Sequence, residues 1–422
     1  MLSRARTTVL AAASALALTA GLALTGAHAA PDRAGRGPAW TAAWAASPQR
    51  PSTGFKPNWS EDGFSGQTLR QVIRVTEGGD RARIRLSNAY GSSPLRIEGA
   101  TVARTEKGAS VQKGSVRRLT FGGKRSVSVP AHEQLSSDAA GLRLAPFESV
   151  TVTLHLAGTT GPATFHAQSF ATSYRADGEH TADTGAEAFG ESTESWYYLS
   201  GVDVSGPRPA KRDGVVLFGD STTDGFASTA DRDRRWSDAL AERLAAADTP
   251  RPVLNAGIGG NLVLNDSAWY GERSANRFAR DALDLPGVGT VVVLQGVNDI
   301  GFSESDTPTY KPAPVVSARE LIDGHRELIR QARAKGVRIV GATLLPFGGS
   351  DHDGKRAAAV SDAFNDWVRT SGEYDAYVDF DKALADPDDP QRLAPEYDSG
   401  DHLHPNDAGY RAMAHAVAPN AL

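Results

Sequence analysis

The chain has 422 residues, 45 Lys and Arg against 50 Asp and Glu, a net charge of −5 and no cysteine. That composition excludes disulfides, thiolate catalysis and cysteine-based zinc sites. Its charge is spread without blocks, so no basic stripe is available to nucleic acid and no polybasic segment to an anionic membrane.

Arg4 and Arg6 precede a stretch of Ala, Leu, Val and small residues over 8–24, and Ala27-His28-Ala29 then offers a processing site before Pro31-Asp32-Arg33. This pattern predicts a secretory signal peptide over 1–29, cleaved near Ala29, and an extracellular mature protein. The alternative of a retained membrane helix fits poorly, because the span is rich in Ala, Thr and Gly. No later stretch reaches the ~20 apolar residues that a membrane helix needs, so no stable membrane insertion is expected.

Residues 38–205 read as an antiparallel β-sandwich domain. Residues 70–76 and 81–86 alternate polar and apolar, and 77–80 (Glu-Gly-Gly-Asp) reads as a hairpin turn between them. The pattern recurs at 115–121 and 126–129 around Gly122-Gly123-Lys124, and 149–156 is the clearest strand of all. Trp40, Trp44, Trp59, Trp196, Tyr197 and Tyr198 are either core or an aromatic platform for sugar rings.

A linker rich in Pro, Gly and charge is expected over 206–213. From 214 to 422 the period changes. Strands are predicted at 215–218, 252–258, 290–295, 337–345 and 376–380, and helices at 234–246, 318–334, 357–369 and 406–417. Alternating strand and helix implies a parallel sheet between helix layers, an α/β/α domain.

The chemistry is concentrated at two places. Ser221 stands just past the apolar run Val215-Val216-Leu217-Phe218, hence at the carboxyl end of a buried strand, where open α/β sheets place their sites. A serine hydroxyl needs a base within hydrogen-bond reach and a third group to orient that base. Asp401 and His404 supply both from one loop, the three-residue spacing letting the carboxylate reach one ring nitrogen. His402 competes for the role of base but is adjacent to Asp401, where neighbouring side chains diverge. A metal site made of Asp401, His402 and His404 lacks further ligands, so no metal and no cofactor are expected. Asp224 and Asp299 are read as loop-holding residues, His352 as a solvated loop residue, and His132, His155 and His166 as having no pattern.

Four blocks in order resemble the SGNH (GDSL-type) hydrolases: Gly219-Asp220-Ser221, with Thr222 where the eponymous motif has leucine; Asn255 through Asn261; Gly296-Val297-Asn298-Asp299; and Asp401 through His404. The resemblance covers about half the chain. It implies Ser221 as nucleophile, His404 as base and Asp401 as its orienter. The oxyanion donors it implies are Ser221, Gly260 and Asn298, with the choice of Gly260 over Gly259 a matter of register. The Trp40/Trp44 opening is similar to secreted two-domain relatives of this superfamily, and the Arg-, Ala- and Gly-rich composition fits a bacterial, actinobacterial-type source. The implied activity is a serine esterase or acylhydrolase acting on carboxylic esters, short-chain or carried on carbohydrate, with acylated polysaccharide among the candidate substrates. A lipase or phospholipase on the same triad is the runner-up. From a different class comes a secreted carbohydrate-binding protein with an inactive hydrolase half. Oligomeric state is left open by the sequence.

Overall fold

The structure is a computed structural model that describes residues 39–206 and 211–422. The expected signal peptide and residues 207–210 of the expected linker lie outside the described residues. Among those described, no helix is long and apolar enough to cross a membrane.

The alternating N-terminal sequence forms two antiparallel sheets that share one core. The smaller runs Thr41–Ala45, Leu199–Ser205, Arg81–Ser87, Gln134–Ser136. The larger runs Glu191–Thr193, Ser173–Asp177, Gln67–Arg74, Ser149–Leu156, Gly99–Lys107, Ser110–Val111, with Arg117–Arg118 also paired to Gly99–Lys107. Val150, Val152 and Leu154 from the central strand meet Ile84, Leu86, Val202 and Val204 of the other sheet in that core.

Two expected hairpins are not formed. Gln67–Arg74 pairs with Ser149–Leu156 and Ser173–Asp177, whereas Arg81–Ser87 pairs with Leu199–Ser205 and Gln134–Ser136. Residues 75–80 therefore carry the chain from one sheet to the other. Alternation specifies which face of a strand is buried, and two such faces are satisfied equally well across a core as side by side. Likewise Phe121 and Lys124 close a tight turn, but Arg117–Arg118 and Val127–Val129 pair with other strands. Trp44, Trp59, Trp196, Tyr197 and Tyr198 are all buried, with Trp44 and Trp196 edge to face at 4.7 Å. They are core, and no platform for sugar rings is formed from them.

The C-terminal half carries a parallel sheet of β1 (Gly214–Gly219), β2 (Val253–Gly257), β3 (Val288–Leu294), β4 (Arg338–Ala342) and β5 (Ala376–Val378) in the order β2-β1-β3-β4-β5. Val215 through Phe218 are wholly buried, as a central parallel strand covered on both faces must be. The helices are α1 (Ser221–Asp224), α2 (Trp236–Ala246), α3 (Ser274–Phe278), α4 (Val297–Gly301), α5 (Ala318–Ala334), α6 (Lys355–Thr370), α7 (Phe380–Leu384) and α8 (Asp407–Ala416). Helix α5 begins with a capping box, Ser317 and Glu320 each satisfying the other's backbone N–H, and α8 is capped by Asn406. One group, α2, α7 and α8, packs together, as do α3, α5 and α6.

The β-rich domain is docked on this sheet. Ala42 and Ala45 join the α/β core while Ala43 and Trp44 of the same strand join the β core. Ala42 donates its N–H to the Pro286 carbonyl at 2.9 Å, and the Thr76 hydroxyl donates to the Val253 carbonyl at 3.0 Å. The strand order reverses between β1 and β3, which opens a crevice at their carboxyl ends.

Candidate active site

Each functional side chain is placed by the end of a strand or by one built loop. β1 runs out at Gly219, and Asp220 caps the single turn α1 by accepting the Thr222 N–H at 3.1 Å, leaving Ser221 at the first helical position. Burial, joined by the charge of Asp299, pushes the Asp220 carboxyl up to about 7 despite the Thr222 N–H and the nearby Arg277 guanidinium. Asn298 follows β3 in α4, and Gly260 follows β2.

The Asp401–His404 loop comes from the segment before α8. Asp398 organises it by accepting the Gly400 and His402 N–H groups and the His402 ring at 2.6 Å. His402 takes a positive φ of 63° and its ring is about half exposed. His404 points inward instead. Its Nε2 lies 2.8 Å from the Ser221 Oγ, and its Nδ1 donates to Asp401 Oδ2 at 2.6 Å. Phe226 covers the ring, with centroids 4.2 Å apart. Burial works against the charge on Asp401. The hydrogen bond and charge of His404, with the N–H groups of His404 and Leu403, outweigh it and hold that carboxyl far below the usual carboxylate range.

Ser221, Gly260, Asn298, Asp401 and His404 all line one cavity of about 440 Å³, whose other walls include Phe55 and Gln168 from the β-rich domain and Phe226, Tyr270, Phe302 and His352 from the α/β domain. The glycine at 260 is required by space and backbone together. Its φ is +72°, and a Cβ there would meet the Tyr270 ring at 2.2 Å. The Gly259 N–H is already given to Asp224 Oδ2 at 2.9 Å, so of the two neighbours Gly260 is the one left to the cavity. Asn298 donates one amide hydrogen to the Asn261 carbonyl at 3.1 Å.

Beneath these residues lies a buried scaffold. Arg277 stacks on Phe218 and donates to the carbonyls of Gly219 (2.8 Å) and Ala256 (2.9 Å) and to Asn261 Oδ1 (2.9 Å), tying the ends of β1 and β2 to the loop that carries Gly260. Its guanidinium is lowered to about 10 by burial, in spite of Asp281. Asp299 accepts the N–H groups of Val263 and Leu264. His166 reaches over from the β-rich domain, its Nδ1 donating to the Ser47 carbonyl at 2.9 Å and its Nε2 lying 3.0 Å from Asp224 Oδ1. Burial disfavours the His166 cation, but the charge and hydrogen bond of Asp224 raise its pKa overall. A histidine without sequence pattern thus links the β-rich domain to the aspartate holding Gly259.

His352 departs from the expectation of a solvated loop residue. It is 4% exposed and contacts both Asp351 and Asn298. The available sequence signal was its place past the carboxyl end of β4, on the rim shared by Ser221 and Asn298. Among the described residues no cluster of three or more His, Cys, Asp or Glu side chains is placed to hold a metal ion.

Residues 217–412 match the sequence profile of the GDSL-like lipase/acylhydrolase family. The C-terminal half of this chain is a GDSL-like acylhydrolase domain. Solved structures similar to it include a GDSL-like lipase from Bacteroides thetaiotaomicron VPI-5482 (16% identity, 50% of this chain and 88% of that one, TM-score 0.38). An acetylxylan esterase from Geobacillus stearothermophilus is 21% identical over 49% of this chain and 93% of its own, with a TM-score of 0.38. A carbohydrate acetylesterase from Sinorhizobium meliloti is 14% identical over 48% and 95%, with a TM-score of 0.37. No curated protein matches the chain. Within the GDSL domain, the one-turn helix at Ser221 and the Asp401–His404 loop converge on the cavity from opposite ends of the family match.

Proposed function

We propose that this GDSL domain is an exported serine esterase that cleaves compact carboxylic esters through an acyl-enzyme. The observation that carries the reading is the continuous chain from Ser221 Oγ to His404 Nε2 and from His404 Nδ1 to Asp401, on the wall of a cavity that Gly260 and Asn298 also line. Neutral imidazole takes the Ser221 proton as Oγ bonds to the ester carbonyl carbon. The carbonyl oxygen becomes anionic and is met by N–H groups of Ser221, Gly260 and Asn298, donors worth ~10² to 10³ in rate each. The carbon–oxygen bond to the alcohol breaks, and His404 returns the proton to the leaving alkoxide. Water repeats the cycle and releases the acid. Asp401, held ionised, keeps the proton of His404 on Nδ1 and so leaves Nε2 to face the serine.

An aromatic-walled cavity of about 440 Å³ favours short acyl groups. The apolar N-terminal segment with its processing site supports export. The test is a panel of p-nitrophenyl esters of increasing chain length beside acetylated xylan and phospholipid. The expected result is the highest kcat/KM at two to four acyl carbons, or on the acetylated polysaccharide. A maximum at long chains or on phospholipid would replace this reading with a lipase, and no turnover of any ester would leave a binding protein.

A further inference from the structure

The Asn298 amide is oriented from two sides. One of its hydrogens faces the Asn261 carbonyl, which only an N–H can satisfy, so the nitrogen must lie on that side and Oδ1 on the other. Oδ1 meets His352 Nε2 at 3.3 Å, and His352 Nδ1 meets Asp351 Oδ1 at 2.7 Å. Both groups that the imidazole meets, the Asn298 carbonyl oxygen and the Asp351 carboxylate, are acceptors, so the ring is held from its two nitrogens at once. The hydrogen bond from His352, followed by its charge, holds the Asp351 carboxyl below the usual range although burial opposes this.

The ring itself has no freedom. Gly301 lies so close that a Cβ there would meet His352 Cδ2 at 2.0 Å, and Phe302 stands edge-on to it at 5.4 Å. A buried, doubly tethered imidazole of this kind does not serve a solvated loop. We infer that His352, anchored by Asp351, is a positioning residue that fixes the Asn298 amide so that its second N–H faces the site of the developing oxyanion. The inference rests on the proposed role of Asn298. It assigns to the loop after β4 a task in the reaction, performed without contact with the substrate's reacting atoms. Misorienting a donor by a fraction of an ångström forfeits much of what that donor contributes to the transition state.

The experiment is a double-mutant cycle with kcat and KM measured on one short ester. His352→Phe keeps the ring volume and removes both donors, and should lower kcat about 10- to 100-fold while KM stays within about twofold. His352→Gln, which returns a donor near the Nε2 position, should recover most of that loss. In an Asn298→Ala background His352→Phe should have almost no further effect, because it acts through the amide already removed. If His352→Phe cost the same factor in both backgrounds, or acted on KM alone, the positioning role would be wrong while the role of Asn298 stood. If Asn298→Ala itself left kcat unchanged, both would fall. Should His352→Phe not fold, the cycle runs on His352→Leu, which also removes both ring nitrogens, and an equal loss in the wild-type and Asn298→Ala backgrounds overturns the inference in the same way.

Discussion

Two histidine–aspartate pairs border the same cavity with nearly the same contact, 2.6 Å for His404 with Asp401 and 2.7 Å for His352 with Asp351. What separates them is the partner of the remaining nitrogen. His404 Nε2 faces a serine hydroxyl, which can give up a proton, and His352 Nε2 faces a carbonyl oxygen, which can only accept one. The carboxylates differ as well. Asp401 also receives two backbone N–H groups from its own loop, whereas Asp351 is largely exposed and receives only its histidine. A His–Asp pair is therefore no base until its outer nitrogen has a proton to take, and the same pair becomes a clamp when that nitrogen meets an acceptor.

The largest effects should come from the first pair. Ser221→Ala and His404→Ala should each lower kcat by on the order of 10⁶, and Asp401→Asn by about 10⁴. His402→Ala should change kcat/KM by no more than a few fold, since that ring is half exposed and tied to Asp398. Steady-state kinetics on a short ester rank these four variants. Equal losses from His402→Ala and His404→Ala would erase the distinction drawn from which ring faces Ser221.

Asn298, the proposed oxyanion donor, comes next. Asn298→Ala should cost roughly 10² to 10³ in kcat with KM little changed, well short of the triad losses. A rise in KM with kcat preserved would mean that Asn298 binds substrate and transition state alike, and the clamp would have nothing to position.

An effect on stability rather than rate contrasts an aspartate kept ionised by a histidine, Asp401, with one favoured neutral by burial, Asp220. Because Asp220 is pushed up to about 7, the native state holds a proton there that the unfolded chain releases near pH 4. Its contribution to stability is thus present below about pH 4 and is lost as pH rises through about 7, with a slope of at most ~1.4 kcal/mol per pH unit in that window. Asp220→Asn keeps an acceptor for the Thr222 N–H and carries no such proton, so urea unfolding at successive pH values should show a flatter slope between pH 4 and 7. Identical slopes would show that Asp220 is ionised throughout.

The contrast also marks what a sequence makes legible. The parallel strands announced themselves because Val215 through Phe218 are buried on both faces, and α5 because its helical period covers the residues that form the helix. Asp401 and His404 are readable since three residues of one loop set their contact. His352 is not, because its meaning lies in Asn298, 54 positions away and brought near only by the adjacent strand ends of β3 and β4. Arg277 is hidden for the same reason, its partners coming from two strand ends and a loop. The pairing of Gln67–Arg74 was hidden too, since alternation names a face and never a neighbour.

The claim beneath all of this is that Ser221 is the nucleophile. A fluorophosphonate reacts with a serine activated by a base, and the intact protein treated with one should carry a single adduct that peptide mass spectrometry locates on Ser221. The adduct should be absent from Ser221→Ala treated alike. Labelling at another residue, an adduct that survives in Ser221→Ala, or no labelling of the folded wild-type protein would contradict the account.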